Sequence, residues 1–174
     1  MKKNIILVGL MGAGKSTIGR YLAKRQRSTF YDSDAVIVQR TGVPISTIFD
    51  LEGEQGFRDR EEQIIAELCD YKGIVLATGG GSVIRQANRD KIKAAGTVIY
   101  LRSSAETLYS RIAHDKKRPL MQTENPLQTL KDLLQTREPY YMEVADIVVN
   151  TGRQKVSSMI VELVRKIKQV EESS

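Results

Sequence analysis

Cysteine and histidine are almost absent from this chain, Cys69 and His114 being the sole residue of each kind. One cysteine cannot form an internal disulfide or assemble a thiolate metal cluster, and one histidine removes zinc sites built on paired imidazoles. Cys69 lies in the apolar-periodic stretch 64–69 and reads as a buried structural thiol. His114 lies in a charged stretch and reads as a surface residue, which leaves a serine–histidine triad without support.

Long apolar runs are missing too. The best stretches, 4–14 and 73–84, are short and glycine-rich, whereas a membrane span needs about 18 apolar residues. Lys2 and Lys3 before Ile5-Ile6-Leu7-Val8 imitate the start of an export signal, but Gly9, Gly12 and Gly14 interrupt the run and Lys15 ends it. The expected location is therefore the cytoplasm. No long basic run or aromatic–basic interleaving of the kind that stacks bases accompanies the formal charge of +6. The positive excess is read as a match to small anionic substrates, with no nucleic-acid or membrane partner.

What is present suffices for a core. A chain of 174 residues with 41% hydrophobic content is the size of one domain, spanning 1–174. Apolar runs at 4–9, 29–31, 73–77, 97–101 and 146–149 read as strands. Between them, helical patterns are expected at 15–27, 35–40, 44–51, 54–69, 87–94, from Ala105, from Pro126 toward Thr136, and at 156–167. On the first helix Ile18, Leu22 and Ala23 face inward. Ser103 with Glu106 suggests a capping box, and Asn125 before Pro126 another helix start. Strands alternating with helices imply an α/β fold with a parallel sheet covered on both faces, and such sheets bind ligands at the carboxyl ends of their strands. The charged, aperiodic segment 115–124 reads as a flap.

The first strand runs into Gly9-Leu10-Met11-Gly12-Ala13-Gly14-Lys15-Ser16-Thr17, which matches G-x-x-x-x-G-K-[ST] in its required place between strand and helix. Glycines let successive backbone N–H groups point inward, and the helix adds its positive end. Lys15 is expected along the β- and γ-phosphates of ATP and the Ser16 hydroxyl on magnesium. The string lacks the G-x-G-x-x-G spacing of dinucleotide folds. A D-x-x-G string, Asp70 to Gly73, precedes its strand, and no N-K-x-D element follows, so a GTPase is disfavoured.

Three further groups carry chemistry with a plainer reading beside each. Asp32 and Asp34, two residues apart, lie on one side if the chain stays extended, where they suit magnesium and an attacking hydroxyl; they equally suit helix capping. Thr78-Gly79-Gly80-Gly81 gives either close backbone approach to a ligand or a flexible loop. Arg58 and Glu61 form either a carboxylate clamp or a solvated ion pair. Lys116, Lys117 and Arg118 in the flap are candidates to cover the phosphates. Arg137 ends a helix, where its charge is favourable anyway.

Taken together, these strings resemble the shikimate kinase family across essentially the whole chain. The matching segments are 9–17, Asp32-Ser33-Asp34, Phe49-Asp50 before Gly53-Glu54, Phe57-Arg58-Asp59-Arg60-Glu61, Leu76 to Val83, Arg118-Pro119-Leu120 and Arg137 to Tyr141. The resemblance implies a nucleoside monophosphate kinase type of P-loop fold: a three-layer sandwich whose five-stranded parallel sheet has order 2-3-1-4-5. It also implies a substrate-binding region at about 32–61 and a lid at about 112–125. The implied reaction is transfer of the ATP γ-phosphoryl group to the 3-hydroxyl of shikimate by a monomer.

In that reading Lys15, Asp34 and Arg118 are catalytic, Asp34 holding the hydroxyls and Arg118 reaching the transferred phosphate from the lid. Gly12, Ala13, Gly14, Lys15, Ser16 and Thr17 hold the phosphates, and Arg111, Arg153 and Gln154 flank adenine. Ser16 and Asp32 serve magnesium. Phe49 and Phe57 line an apolar wall, Gly79, Gly80 and Gly81 shape the substrate turn, and Arg58 and Arg137 take the carboxylate, with Glu61 bracing Arg58. Another small hydroxy acid such as gluconate, or a nucleoside monophosphate, stays open as acceptor on the same fold.

Overall fold

The computed structural model describes residues 3–115 and 122–174. Strands β1 (Asn4–Val8), β2 (Thr29–Asp32), β3 (Ile74–Ala77), β4 (Gly96–Arg102) and β5 (Ile147–Asn150) form one parallel sheet in the order β2-β3-β1-β4-β5. Helices α1 (Lys15–Gln26), α2 (Ser33–Thr41), α3 (Ile45–Asp70), α4 (Gln86–Ala95), α5 (Ala105–Ile112), α6 (Pro126–Val144) and α7 (Val156–Glu172) connect and cover it. The expected architecture is therefore the observed one. None of the described helices is long and apolar enough to cross a membrane.

Alternate side chains of the central strands feed two apolar layers. Ile5 and Leu7 pack with Ile18, Leu22 and Leu163 on one face of the sheet, while Ile6 and Val8 pack with Ile65, Leu68 and Tyr141 on the other. That double burial is why β1 reads as a continuous apolar run. Asn4, itself buried, fixes the start of the sheet: its amide donates to Tyr71 O (2.6 Å) and its Oδ1 accepts from Ile74 N (3.1 Å). Cys69 is buried among the second layer, as expected of a structural thiol, and burial pushes it up to about 11. His114 is exposed.

Register then places the ends of three strands side by side. Leu7 lies opposite Ala77, and Ala77 opposite Asp32. The turns leaving β1, β2 and β3 consequently open onto one carboxyl-terminal edge, where the functional groups gather.

Several local expectations need correction. The chain does not stay extended through Asp34: Asp32 is the N-cap of α2, its Oδ1 accepting from Ala35 N (3.1 Å), and Asp34 occupies the first helical turn. The helix after β4 starts at Ser104, whose hydroxyl accepts from Thr107 N (3.2 Å), so Ser103 makes no capping box. Ser103 is buried after β4 and donates to Thr151 O (3.0 Å). Helix α6 does not stop near Thr136 but continues through Pro139 to Val144, because burial of Tyr141 and Val144 outweighs the one backbone donor the proline lacks. Arg137 is thus inside the helix, and a favourable charge at the helix end does not account for it.

Helix α3 has the break expected between 51 and 54. Gly53, at φ 72° and ψ 179°, interrupts it, a left-handed conformation that glycine adopts without steric cost. Arg60 bridges the kink with two bonds to Glu52 (2.9 and 2.6 Å).

Candidate active site

The β1–α1 turn wraps back on itself. Lys15 Nζ donates to Gly9 O (2.6 Å) and Leu10 O (3.0 Å), closing the loop, and Gly12 and Gly14 have φ of 80° and 94°. Ala13 is buried against the first apolar layer, which seats the loop, whereas Thr17 is exposed on the first turn of α1. Helix α1 begins at Lys15, so its unpaired N–H groups face this concavity.

Beside it, Ser16 Oγ donates to Asp32 Oδ2 (2.6 Å). Asp32 therefore combines both readings open to it, capping α2 through one oxygen and holding the P-loop serine through the other. Among the described residues no group of three or more acidic, histidine or cysteine side chains is placed to hold a metal ion by itself. A divalent cation at this place would thus take most of its ligands from phosphates and water. That suits magnesium, which binds through few protein ligands and keeps several waters.

Asp34 is the most perturbed carboxylate of the site. Burial, and then the nearby Glu61 and Asp32, raise its pKa to about 6 against the opposing pull of Lys15 and Arg58. Its Oδ1 is buried with no hydrogen-bond partner among the described residues. An orphaned buried carboxylate oxygen is costly and marks a place where a donor from outside is due. Asp34 also depends on the triple-glycine turn: a β-carbon on Gly79 would lie 2.6 Å from Oδ1. Gly79 N donates to Ser33 Oγ (3.0 Å), so the residue between the two aspartates pins that turn.

Arg58 and Glu61 form a buried pair at 2.8 Å, with side chains 10% and 1% exposed, so the solvated-bridge reading fails. Glu54 lies 3.6 Å from Arg58 Nε, and Ser82 Oγ donates to Glu61 Oε2 (3.4 Å). The Arg58 guanidinium fills the space a Gly81 side chain would need and lies 5.2 Å from the Phe57 ring centre. Phe57 is buried, and the exposed Phe49 packs on it with the ring centres 4.8 Å apart. Across the turn, Arg137 reaches within 3.5 Å of where a Gly80 β-carbon would sit, and Tyr141 donates to Gly80 O (2.5 Å).

Arg111 donates to Gly12 O (3.0 Å) and Gly152 O (3.2 Å), joining the P-loop to the loop after β5. Arg153 and Gln154 are exposed in that same loop. Arg118, with Lys116 and Lys117, lies outside the described residues. Sequence reasoning assigned no role to Ser33 or Tyr141. Spacing held a signal for Tyr141, which falls one turn after Arg137 on the same face of α6.

A P-loop therefore meets a buried carboxylate of raised pKa and two arginines across a glycine turn, an arrangement suited to phosphorylating a small carboxylated alcohol. Comparisons with known proteins agree. The shikimate kinase family model matches residues 11–168. A shikimate kinase of Thiobacillus denitrificans is 57% identical over 158 residues, 91% of this chain and 86% of that protein. One from Haemophilus influenzae is 56% identical over 164 residues, 94% and 91% of the two chains. The structure of shikimate kinase from Acinetobacter baumannii in complex with shikimate superposes with TM-score 0.94 at 44% identity, covering 97% of this chain and 94% of that one. A Sinorhizobium meliloti gluconokinase, at TM-score 0.64 and 19% identity, shares the fold alone. Homology over nearly the whole length places the chain in the shikimate kinase family.

Proposed function

We propose that this protein transfers the γ-phosphoryl group of ATP to the 3-hydroxyl of shikimate, giving ADP and shikimate 3-phosphate on the route to chorismate and the aromatic amino acids. The observation that carries the reading is the orphaned Oδ1 of Asp34, buried between the P-loop lysine and the Arg58–Glu61 pair. A substrate hydroxyl donating there satisfies the oxygen and stands at the edge of the phosphate cradle. As the hydroxyl oxygen forms its bond to the γ-phosphorus and the β–γ bridging bond breaks, the hydroxyl proton passes to Asp34.

Around that step the chain supplies position and charge, which dominate phosphoryl transfer. The backbone N–H groups of Gly12, Ala13 and Gly14, with the start of α1 at Ser16 and Thr17, hold the phosphates. Lys15 exchanges its carbonyl partners for phosphate oxygens. Arg58 and Arg137 grip the carboxylate, Glu61 keeps Arg58 oriented, and Gly79, Gly80 and Gly81 let the backbone approach; Phe49 and Phe57 cover the apolar ring. Arg111, Arg153 and Gln154 flank adenine, and Arg118 neutralises the transferred group.

Magnesium fits at Ser16 and Asp32, where a hydroxyl and a carboxylate already converge, and when bound supplies charge neutralisation of the β- and γ-phosphates. The reading extends to a monomer in the cytoplasm, one domain with a substrate-binding region at about 32–61 and a lid at about 112–125. Acceptor profiling tests the assignment: ADP should form with shikimate and not with gluconate or nucleoside monophosphates. A preference for either alternative refutes it.

A further inference from the structure

Arg89 is a buried cation outside the reaction just described. It is 8% exposed and sits in the first turn of α4, where the helix dipole opposes positive charge and no acid of that turn offsets it. A guanidinium kept in such a place depends on partners from elsewhere in the fold. Nη1 donates to Val83 O and to Ile84 O (2.8 Å each), and Nη2 donates to Gln86 Oε1 (2.6 Å), which fixes the plane of the group. On its other side the group meets α6. The guanidinium carbon lies 4.3 Å from the centre of the Tyr140 ring, and Glu143 Oε2 lies 2.5 Å from Nε as an ion pair.

The two carbonyls that Arg89 holds end the segment that begins with the triple glycine. Ser82 N donates to Gly79 O (3.0 Å) and Ile84 N donates to Gly81 O (3.1 Å), so residues 79–84 fold as two overlapping turns. A single peptide unit links this fold to the arginine: its oxygen, Val83 O, accepts from Arg89, and its N–H, on Ile84, donates to Gly81 O. Gly81 is the residue whose missing side chain leaves room for the Arg58 guanidinium. Helix α6 reaches the same turn through Tyr141, which donates to Gly80 O, and carries Arg137 one turn earlier. Arg89 thus ties the end of the glycine turn to the helix that bears the second substrate arginine.

We propose that Arg89 is a positioning residue for the acceptor site: by holding the Val83–Ile84 peptide against α6, it sets the spacing between the glycine turn, with Arg58 packed on it, and Arg137. The inference rests on the acceptor reading above, which shikimate-dependent ADP formation by the wild-type protein tests separately.

Steady-state kinetics of the full-length enzyme read this out. Arg89→Met keeps an apolar stem and removes every donor, so KM for shikimate should rise about tenfold, the order expected when well-made hydrogen bonds behind a binding site are lost. KM for ATP and kcat should stay within about threefold. Arg89→Lys keeps a charge and three donors but not the planar fork, and its shikimate KM should fall between the two, about threefold above wild type. Leu163→Ala opens a cavity in the apolar layer on the opposite face of the sheet; it should lower the melting temperature and leave shikimate KM alone. A wild-type shikimate KM in Arg89→Met overturns the proposal, and if that variant yields no folded protein, a wild-type KM in Arg89→Lys does so. An equal rise in KM for ATP overturns it too, as does a comparable rise in Leu163→Ala, since general loss of stability and not the placement of the turn would then be responsible.

Discussion

The Asp34 carboxylate occupies the volume that any side chain at position 79 would need: a β-carbon on Gly79 would come within 2.6 Å of Oδ1. The Asp34 carboxylate and the glycine turn are therefore one construction. Gly79→Ala must push Asp34 off its place. A misplacement of about an ångström costs on the order of a hundredfold in rate, and kcat/KM for shikimate should fall by about that factor while ATP affinity is kept. Calorimetric titration with nucleotide alongside kinetics checks both halves.

Asp34 also sets a pH dependence. Its pKa in the folded protein, about 6, lies above the ordinary aspartate value of about 4. As pH rises between these values the unfolded chain ionises first, so folding loses stability there, and the full penalty stands above pH 6. Asp34→Asn should consequently melt higher than wild type at pH 8, by about 1–3 kcal/mol, with the gap closing toward pH 4. The same variant should lose about 10²–10⁴ in kcat with ATP binding intact. For wild type, kcat/KM for shikimate should drop as pH falls through about 6. Melting curves and a pH–rate profile provide the comparison.

Much of this site is legible in the sequence, and the part that is not has a common cause. The P-loop string carries its own geometry, because glycine spacing, lysine and the strand before it dictate a backbone. The pairing of Arg58 with Glu61 is visible as a three-residue interval, but its burial is not: that follows from Gly81 lacking a side chain far along the chain. The sequence leaves Asp32 and Asp34 open between one side of an extended chain and a helix-capping pair; α2 begins at Ser33, with Asp32 as its cap and Asp34 in its first turn. The local signals place helix α6 from Pro126 toward Thr136, while burial of Tyr141, which carries it on to Val144, is a tertiary effect. Long-range closeness, not residue chemistry, is what the sequence withholds.

Arg58→Ala should raise KM for shikimate far more than KM for ATP. It also leaves Glu61, 1% exposed, without its cation, at a cost of about 3–5 kcal/mol. Adding Glu61→Gln should return much of that stability and none of the shikimate affinity. Denaturant unfolding of the single and double variants separates the two roles; recovery of KM together with stability would contradict the clamp.

Asp32 caps α2 and, in the proposed function, also serves magnesium. Asparagine keeps an oxygen for the Ala35 N–H, so Asp32→Asn should fold as wild type, whereas Asp32→Ala should lose about 1 kcal/mol with the cap. Both should need about 10- to 100-fold more magnesium for half-maximal turnover. Magnesium titration of activity reads this out, and an unaltered requirement would remove Asp32 from the cation site.

Removal of Lys15 separates phosphate binding from acceptor binding. Lys15→Met should lower turnover by about a thousandfold, the order expected for a charge aimed at the phosphates in the transition state. Shikimate KM should remain near wild type, as determined from initial rates at saturating nucleotide.

The account stands or falls on whether the orphaned oxygen of Asp34 awaits a hydroxyl of shikimate. Purified protein with magnesium and ATP should release ADP only when shikimate is added, one ADP for each shikimate 3-phosphate formed. ADP release that is indifferent to shikimate, from folded protein that binds the nucleotide, would contradict it.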